Sequence, residues 1–216
     1  TMKWLRHVLA KVLYPLRWLV VRFCPVSDPW EKVPASIVIQ AFAPGSRMDV
    51  DWYFTGRSKV RVESLVDVQR WLWRCDYVAD AELFREPDYW QHPQTFEQLR
   101  RGDCEDFALW AWRKLVELKQ PAEFVVGYCQ AEAASGSLKR ARHAWLLIQR
   151  EGQLCLYEPT IRDYEKSVQA LDLVKHRYVP EFGVGPDLRP VVYAGYILTQ
   201  KEQQYRPHQR PVGAAE

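Results

Sequence analysis

The sequence predicts an α+β fold in which a helix that carries a nucleophile packs on an antiparallel sheet. Three observations predict it. The block Arg101-Gly102-Asp103-Cys104-Glu105-Asp106-Phe107-Ala108 opens a strongly apolar helix with a cysteine at its first position. Three alternating segments follow, 122–128, 142–148 and 154–160, separated by a polar loop and by the turn signal Glu151-Gly152. The chain has 216 residues, enough for one domain with a substantial core and too few for two large ones. Ten tryptophans and eleven tyrosines argue against overall disorder.

The helix comes first because the chemistry rests on it. Thr95 and Gln98 have the spacing of a capping box for a short preceding helix, and Gly102 suits a left-handed end to it. Asp103 then caps the next helix, with Asp106 at its third position and Phe107, Leu109, Trp110, Trp112, Leu115 and Leu118 as its buried body. The first-turn amides of a helix have no intrahelical partner and favour an anion. A thiol at Cys104 is therefore expected to have a lowered pKa, with its own amide aimed at a developing oxyanion.

The strands supply the groups a thiolate needs. His143 opens the segment Arg142-His143-Ala144-Trp145-Leu146-Leu147-Ile148, and Glu158 closes the segment that begins at Leu154. Across a tight antiparallel hairpin these two ends are neighbours, so a carboxylate can hold the imidazole while its other nitrogen faces the thiol.

These residues resemble the transglutaminase-like superfamily of papain-like thiol enzymes, including its bacterial cysteine-peptidase branch. The resemblance covers roughly residues 87–160. Gly102, Cys104, Asp106, Phe107 and Ala108 match the nucleophile block. Pro121, Ala122, Gly127 and Tyr128 match the strand that follows, with Val125 one place early. His143-Ala144-Trp145 matches His-Ala-Trp, and Glu158-Pro159-Thr160 stands where the family has Asp-Pro-Thr. The resemblance implies a papain-like core and a catalytic set of Cys104, His143 and Glu158, with neither cofactor nor metal. It implies thiol-dependent cleavage of a peptide or side-chain amide, with a protein or peptide as substrate. The alternatives are transfer of the acyl group to an amine, as in a transglutaminase, and a non-catalytic binding module that keeps the fold. In related enzymes a Trp or Gln side chain completes the oxyanion hole, and Trp90, Gln91 and Gln98 are the local candidates. His92 is a rival base by residue type, but its place beside Pro93 reads as a surface loop.

The rest of the chain frames this core, which is expected over residues 25–199. Residues 1–24 carry Trp4, Leu5, Val8, Leu9, Val12, Leu13, Leu16, Leu19 and Val20 at helical spacing. Lys3, Arg6, Lys11, Arg17 and Arg22 lie among them, with no acid before Asp28. This amphipathic basic helix is expected either to pack its stripe on the domain or to use residues 3–23 on a membrane surface or an acidic partner. Residues 35–42 read as a short strand, and 47–57 as a strand and turn. Asp49 and Asp51 lack the ligand set of a calcium loop. Ser64 caps a helix through about Cys75, and 167–176 reads as another. Residues 191–198 read as a closing strand, and 200–216 as a disordered tail. Cys24, Cys75, Cys104, Cys129 and Cys155 are odd in number and without framework spacing, which fits reduced cysteines in a cytoplasmic protein. No nucleic-acid signature is present.

Overall fold

The computed structural model describes residues 28–33, 45–47, 50–132 and 138–205. The basic stripe at 1–24, the strand expected at 35–42, Asp49 and residues 206–216 lie outside the described residues. The described chain builds a seven-stranded antiparallel sheet with one long helix across it. In chain order the elements are β1 (Lys32–Val33), a 3₁₀ turn (Val50–Phe54), α1 (Leu65–Leu72), β2 (Asp76–Tyr77), α2 (Asp80–Leu83), α3 (Pro93–Leu99), β3 (Arg101–Gly102) and α4 (Cys104–Glu117). The long hairpin β4 (Ala122–Glu132) and β5 (Leu138–Arg150) follows, then β6 (Gln153–Tyr157), α5 (Tyr164–Ser167), β7 (Val168–Ala170) and α6 (Leu171–Val174). The last elements are β8 (Tyr178–Val184), β9 (Pro190–Tyr193) and α7 (Ala194–Tyr205). The sheet order is β1-β9-β8-β4-β5-β6-β7, while β2 and β3 form a separate parallel pair.

Side-chain alternation divides the sheet into two faces. Phe124, Val126, Ala144, Leu146 and Ile148 join the large core under α4, whereas Val125, Trp145, Leu147 and Leu156 join a smaller cluster on the other side. The helix is clamped at its middle. Trp110 stacks on Trp71 with ring centroids 3.9 Å apart. Trp112 donates its indole N–H to the Ala122 carbonyl at 3.0 Å. Both indoles are fully buried. Large aromatics packed this way typically cost about 3–5 kcal/mol when cut to alanine, so the helix that carries Cys104 is anchored in the core.

Several local expectations are corrected. The short helix α3 is capped by His92, whose Nδ1 accepts from the Gln94 amide at 3.1 Å, and not by Thr95. His92 is buried rather than a surface loop residue, with Nε2 3.0 Å from the Trp52 carbonyl. Arg100, not Gly102, takes the left-handed position that ends this helix. Gly102 answers a different demand, because a Cβ there would stand 2.2 Å from Asp106 Oδ2. The 47–57 segment holds a 3₁₀ turn instead of a strand. Of the segment expected as one helix at 167–176, residues Val168–Ala170 are strand β7. The closing strand stops at Tyr193, where the Ala194 and Gly195 amides bond to the Glu31 and Pro29 carbonyls and the chain turns into α7. That helix runs through Tyr205, into the segment expected to be disordered from 200.

Candidate active site

Asp103 is the N-cap of α4 and Cys104 its first residue. The start of the helix is held from outside by Gln91. The Gln91 amide donates to Asp106 Oδ1 at 2.8 Å, and its side chain bonds Asp106 Oδ2 and the Arg101 carbonyl. Asp106 Oδ2 also accepts from the Asp103 amide at 3.3 Å, which closes the cap.

His143 and Glu158 meet as their strand positions predict. β6 pairs with β5 only from Leu146 onward, so His143 extends past the end of β6 just where the chain leaves it. His143 Nε2 lies 2.7 Å from Glu158 Oε2. Glu158 is buried and held in turn. Thr160 donates to its Oε1 at 2.9 Å, the Tyr178 hydroxyl lies 3.5 Å from Oε2, and its amide bonds the Ser167 carbonyl at 2.7 Å. Burial works against a charged imidazole, but the Glu158 charge and hydrogen bond outweigh it and raise the His143 pKa.

Cys104 and His143 line one cavity of about 350 Å³, together with Trp90, Ala144, Arg142, Asp88, Asp103 and Glu105. The thiol makes its hydrogen bond elsewhere. It donates to Glu105 Oε2 at 3.1 Å, and no hydrogen bond joins it to His143 among the described residues. The expectation of a lowered thiol pKa is overturned with it. Burial pushes the Cys104 thiol well above its usual value, and the Glu105 and Asp103 carboxyls push it further, against a small opposing pull from the Ala144 amide. The positive end of a helix is outweighed where the residues on either side of the thiol are acids.

Among the three candidate oxyanion donors, only Trp90 reaches the cavity. Its indole N–H lies 3.1 Å from Asp88 Oδ1. Gln91 is occupied by Asp106 and Arg101, and Gln98 is exposed on α3.

An acidic cluster beside the thiol was missed in the sequence. Asp80, Asp88 and Glu105 bring carboxylate oxygens within 4.8 Å of one another, and so do Asp80, Asp103 and Asp106. Burial and the neighbouring Asp103 push Glu105 up to about 10, and burial also raises Asp80 and Asp103. Asp80 Oδ1 and Asp103 Oδ1 are buried with no hydrogen-bond partner among the described residues. Clustered carboxylates with orphaned oxygens fit a hard, oxygen-seeking cation such as Ca²⁺. The ligand set is scattered over α2, the loop after it and the start of α4, so no contiguous spacing announces it.

No family model matches the sequence, and neither does any curated protein. Solved structures do match. LapG of Legionella pneumophila in its EGTA-treated form is 18% identical, with a TM-score of 0.42, over 60% of this chain and 65% of that one. Calcium-bound LapG is 18% identical, with a TM-score of 0.39, over 55% and 62%. A provisionally assigned cysteine protease from Cytophaga hutchinsonii is 13% identical, with a TM-score of 0.37, over 54% of this chain and 34% of its own. The chain thus spans about a third of the Cytophaga protein and under two thirds of these two LapG chains.

Proposed function

We propose that the protein cleaves a peptide or side-chain amide through an acyl-enzyme on Cys104. The observation that carries this reading is the His143–Glu158 pair at 2.7 Å on the cavity that also receives the first residue of α4. With Nε2–H donating to Glu158, Nδ1 keeps the lone pair of a base. The thiol leaves Glu105 and gives its proton to His143, and Sγ attacks the carbonyl carbon. His143 returns the proton to the departing amine. Water, deprotonated by the same imidazole, then releases the acid and restores the thiol. Glu158 orients the ring and stabilises its charge. On this reading the Cys104 amide, at the open start of the helix, is the oxyanion donor, and the Trp90 indole joins it only by leaving Asp88.

Asp80, Asp88, Asp103 and Glu105 would hold a divalent cation. Bound there, it supplies positive charge beside Cys104 and so favours the thiolate. This chain's own part is to keep those carboxylates together and to present the thiol between them and His143.

The test is incubation of the full chain, in calcium and separately in EGTA, with a broad pool of peptides and proteins, followed by mass spectrometry of new termini. Turnover is expected in the wild type, to vanish in Cys104→Ala, and to fall by about 10²–10⁴ in Glu158→Gln, whose amide keeps the shape but not the charge. Equal cleavage by Cys104→Ala sinks the reading. A wild type that cleaves nothing in either condition and shows no reactive thiol favours a binding module instead.

A further inference from the structure

The cavity at Cys104 has two walls of opposite sign. On the loop side stand Asp88, Asp103 and Glu105, and on the sheet side stands Arg142. Alternation along β5 puts Arg142 on the same face as Ala144, Leu146 and Ile148, the face that α4 covers. Because α4 begins only at Cys104 and the β4–β5 ribbon runs on beyond it, Arg142 stands on open sheet in front of the helix start.

Its seat is built. Glu181 on β8 is almost wholly buried and lies 3.4 Å from the Arg142 guanidinium, and Thr199 on α7 bonds the other Glu181 oxygen. Tyr128, the register partner of Arg142 across the hairpin, has its ring under both guanidiniums. Arg140 sits 4.3 Å and Arg142 5.5 Å from its ring centre. Arg142 nevertheless remains 49% exposed. A guanidinium has five donors in a fixed fork, and one carboxylate contact at this distance leaves the fork open for a second.

Two of the three acids on the other wall are already engaged. Both oxygens of Asp88 already accept N–H donors, from Gly45 at 2.9 Å and Trp90 at 3.1 Å, and Glu105 accepts from Cys104. On the sheet side of the cavity the fork of Arg142 is the charged group presented to an entering chain.

We propose that Arg142, seated by Glu181 and Tyr128, selects substrates that carry an acidic side chain beside the amide presented to Cys104. This rests on the reading that the cavity receives a peptide, and it adds which peptide. A carboxylate met by a seated guanidinium is recognised in two bonds rather than one, which discriminates against both amide and ammonium side chains.

The test is equilibrium binding, so that it does not depend on turnover. Full-length Cys104→Ala protein is titrated into three fluorescein-tagged, end-capped peptide pools. The pools are randomised except for one fixed central residue, Asp, Asn or Lys, and binding is read by anisotropy. The Asp pool is expected to bind about five-fold tighter than the Asn pool, in line with one partly exposed charge pair, with the Lys pool weakest. Arg142→Gln should erase the preference, Arg142→Glu should turn it toward Lys, and Arg142→Lys should restore part of it. Circular dichroism checks that each variant is folded. Equal binding of all pools, no binding of any, a wild-type preference for Lys, or an Asp preference that survives Arg142→Gln overturns the proposal. Failure of the acyl-enzyme reading shows elsewhere, as unchanged cleavage in Cys104→Ala, and leaves these affinities as they are.

Discussion

Helix α4 carries buried charge in its C-terminal half and beside its first turn, and the two sites are built in opposite ways. In the C-terminal half Lys114 is fully buried, and its ammonium meets the Val60 carbonyl at 2.6 Å, Glu117 at 2.9 Å and the Ser58 hydroxyl. Its neighbour Arg113 bonds Glu117 at 3.0 Å and the Gly56 carbonyl at 2.7 Å. Burial pushes Glu97 up, but donors from Ser58, Trp110 and the Lys59 amide, with the Lys114 charge, outweigh it and hold the carboxyl below its usual pKa. Beside the first turn, Asp80, Asp103 and Glu105 face one another with no Lys or Arg ion pair among the described residues, and all three carboxyls are raised. Both sites remove charge from water, and only one returns the lost hydrogen bonds in full. The difference separates charge whose hydrogen bonds are met inside the fold from charge whose hydrogen bonds are not.

The comparison breaks most visibly at Lys114. Lys114→Ala leaves the covered Glu97 side chain and the half-buried Ser58 without their cation and should lower stability by about 3–5 kcal/mol, read by urea unfolding at neutral pH. A loss well below 1 kcal/mol would mean that water enters this site and that it is not the closed cluster the hydrogen bonds describe.

The acidic site should respond to a cation instead. Calcium at about 100 times its dissociation constant is expected to stabilise the folded chain by about 2.7 kcal/mol, seen as a rise in melting temperature that EGTA reverses. Asp103→Asn and Asp80→Asn should each remove most of that rise. If calcium moves the wild type and both variants equally, or moves none of them, the cluster is not the site. Isothermal titration of the chelated protein gives the same answer without melting.

How these regions could be read beforehand follows from where their residues lie in the chain. Asp103 and Cys104 announce themselves because a cap and the turn after it are contiguous. His143 and Glu158 could be paired because hairpin geometry carries two strand ends to one place. The acidic site draws on Asp80 and Asp88, far from Cys104 in sequence and brought to it by the parallel β2–β3 pair, whose two-residue strands carry no periodic signal. The same limit hid the thiol's environment, since helix position argued for a lowered pKa while the carboxyls that raise it are placed by tertiary packing. His92 replaced Thr95 as the cap of α3 because burial against Trp52 fixed its ring where it accepts the Gln94 amide, which propensity does not weigh. Nor does local sequence reveal Gly102's role, which is to let Asp106 approach.

The last effect expected is a slope. Glu105 is pushed up to about 10, far above the usual carboxylate range, chiefly by burial and next by Asp103. In the unfolded chain it ionises near its ordinary value, so at neutral pH the folded state binds a proton that the unfolded state has lost. A raised acid of this kind contributes stability that is fully present below the unfolded pKa and is lost as pH rises toward the folded one. In EGTA the wild type should therefore weaken between about pH 5 and pH 9, with a slope of up to about 1.4 kcal/mol per pH unit for each proton the folded cluster keeps and the unfolded chain has lost. Glu105→Gln has no proton to lose there, so its stability should decline less over the same interval. The Lys114 cluster gives no such slope above pH 5, since Glu97 is held low and is ionised in both states. Urea midpoints of wild type and Glu105→Gln at pH 5, 7 and 9 decide it. Parallel lines would mean that Glu105 is ionised in the fold, and the two sites on α4 would then differ in the sign of their charge and not in how well it is satisfied.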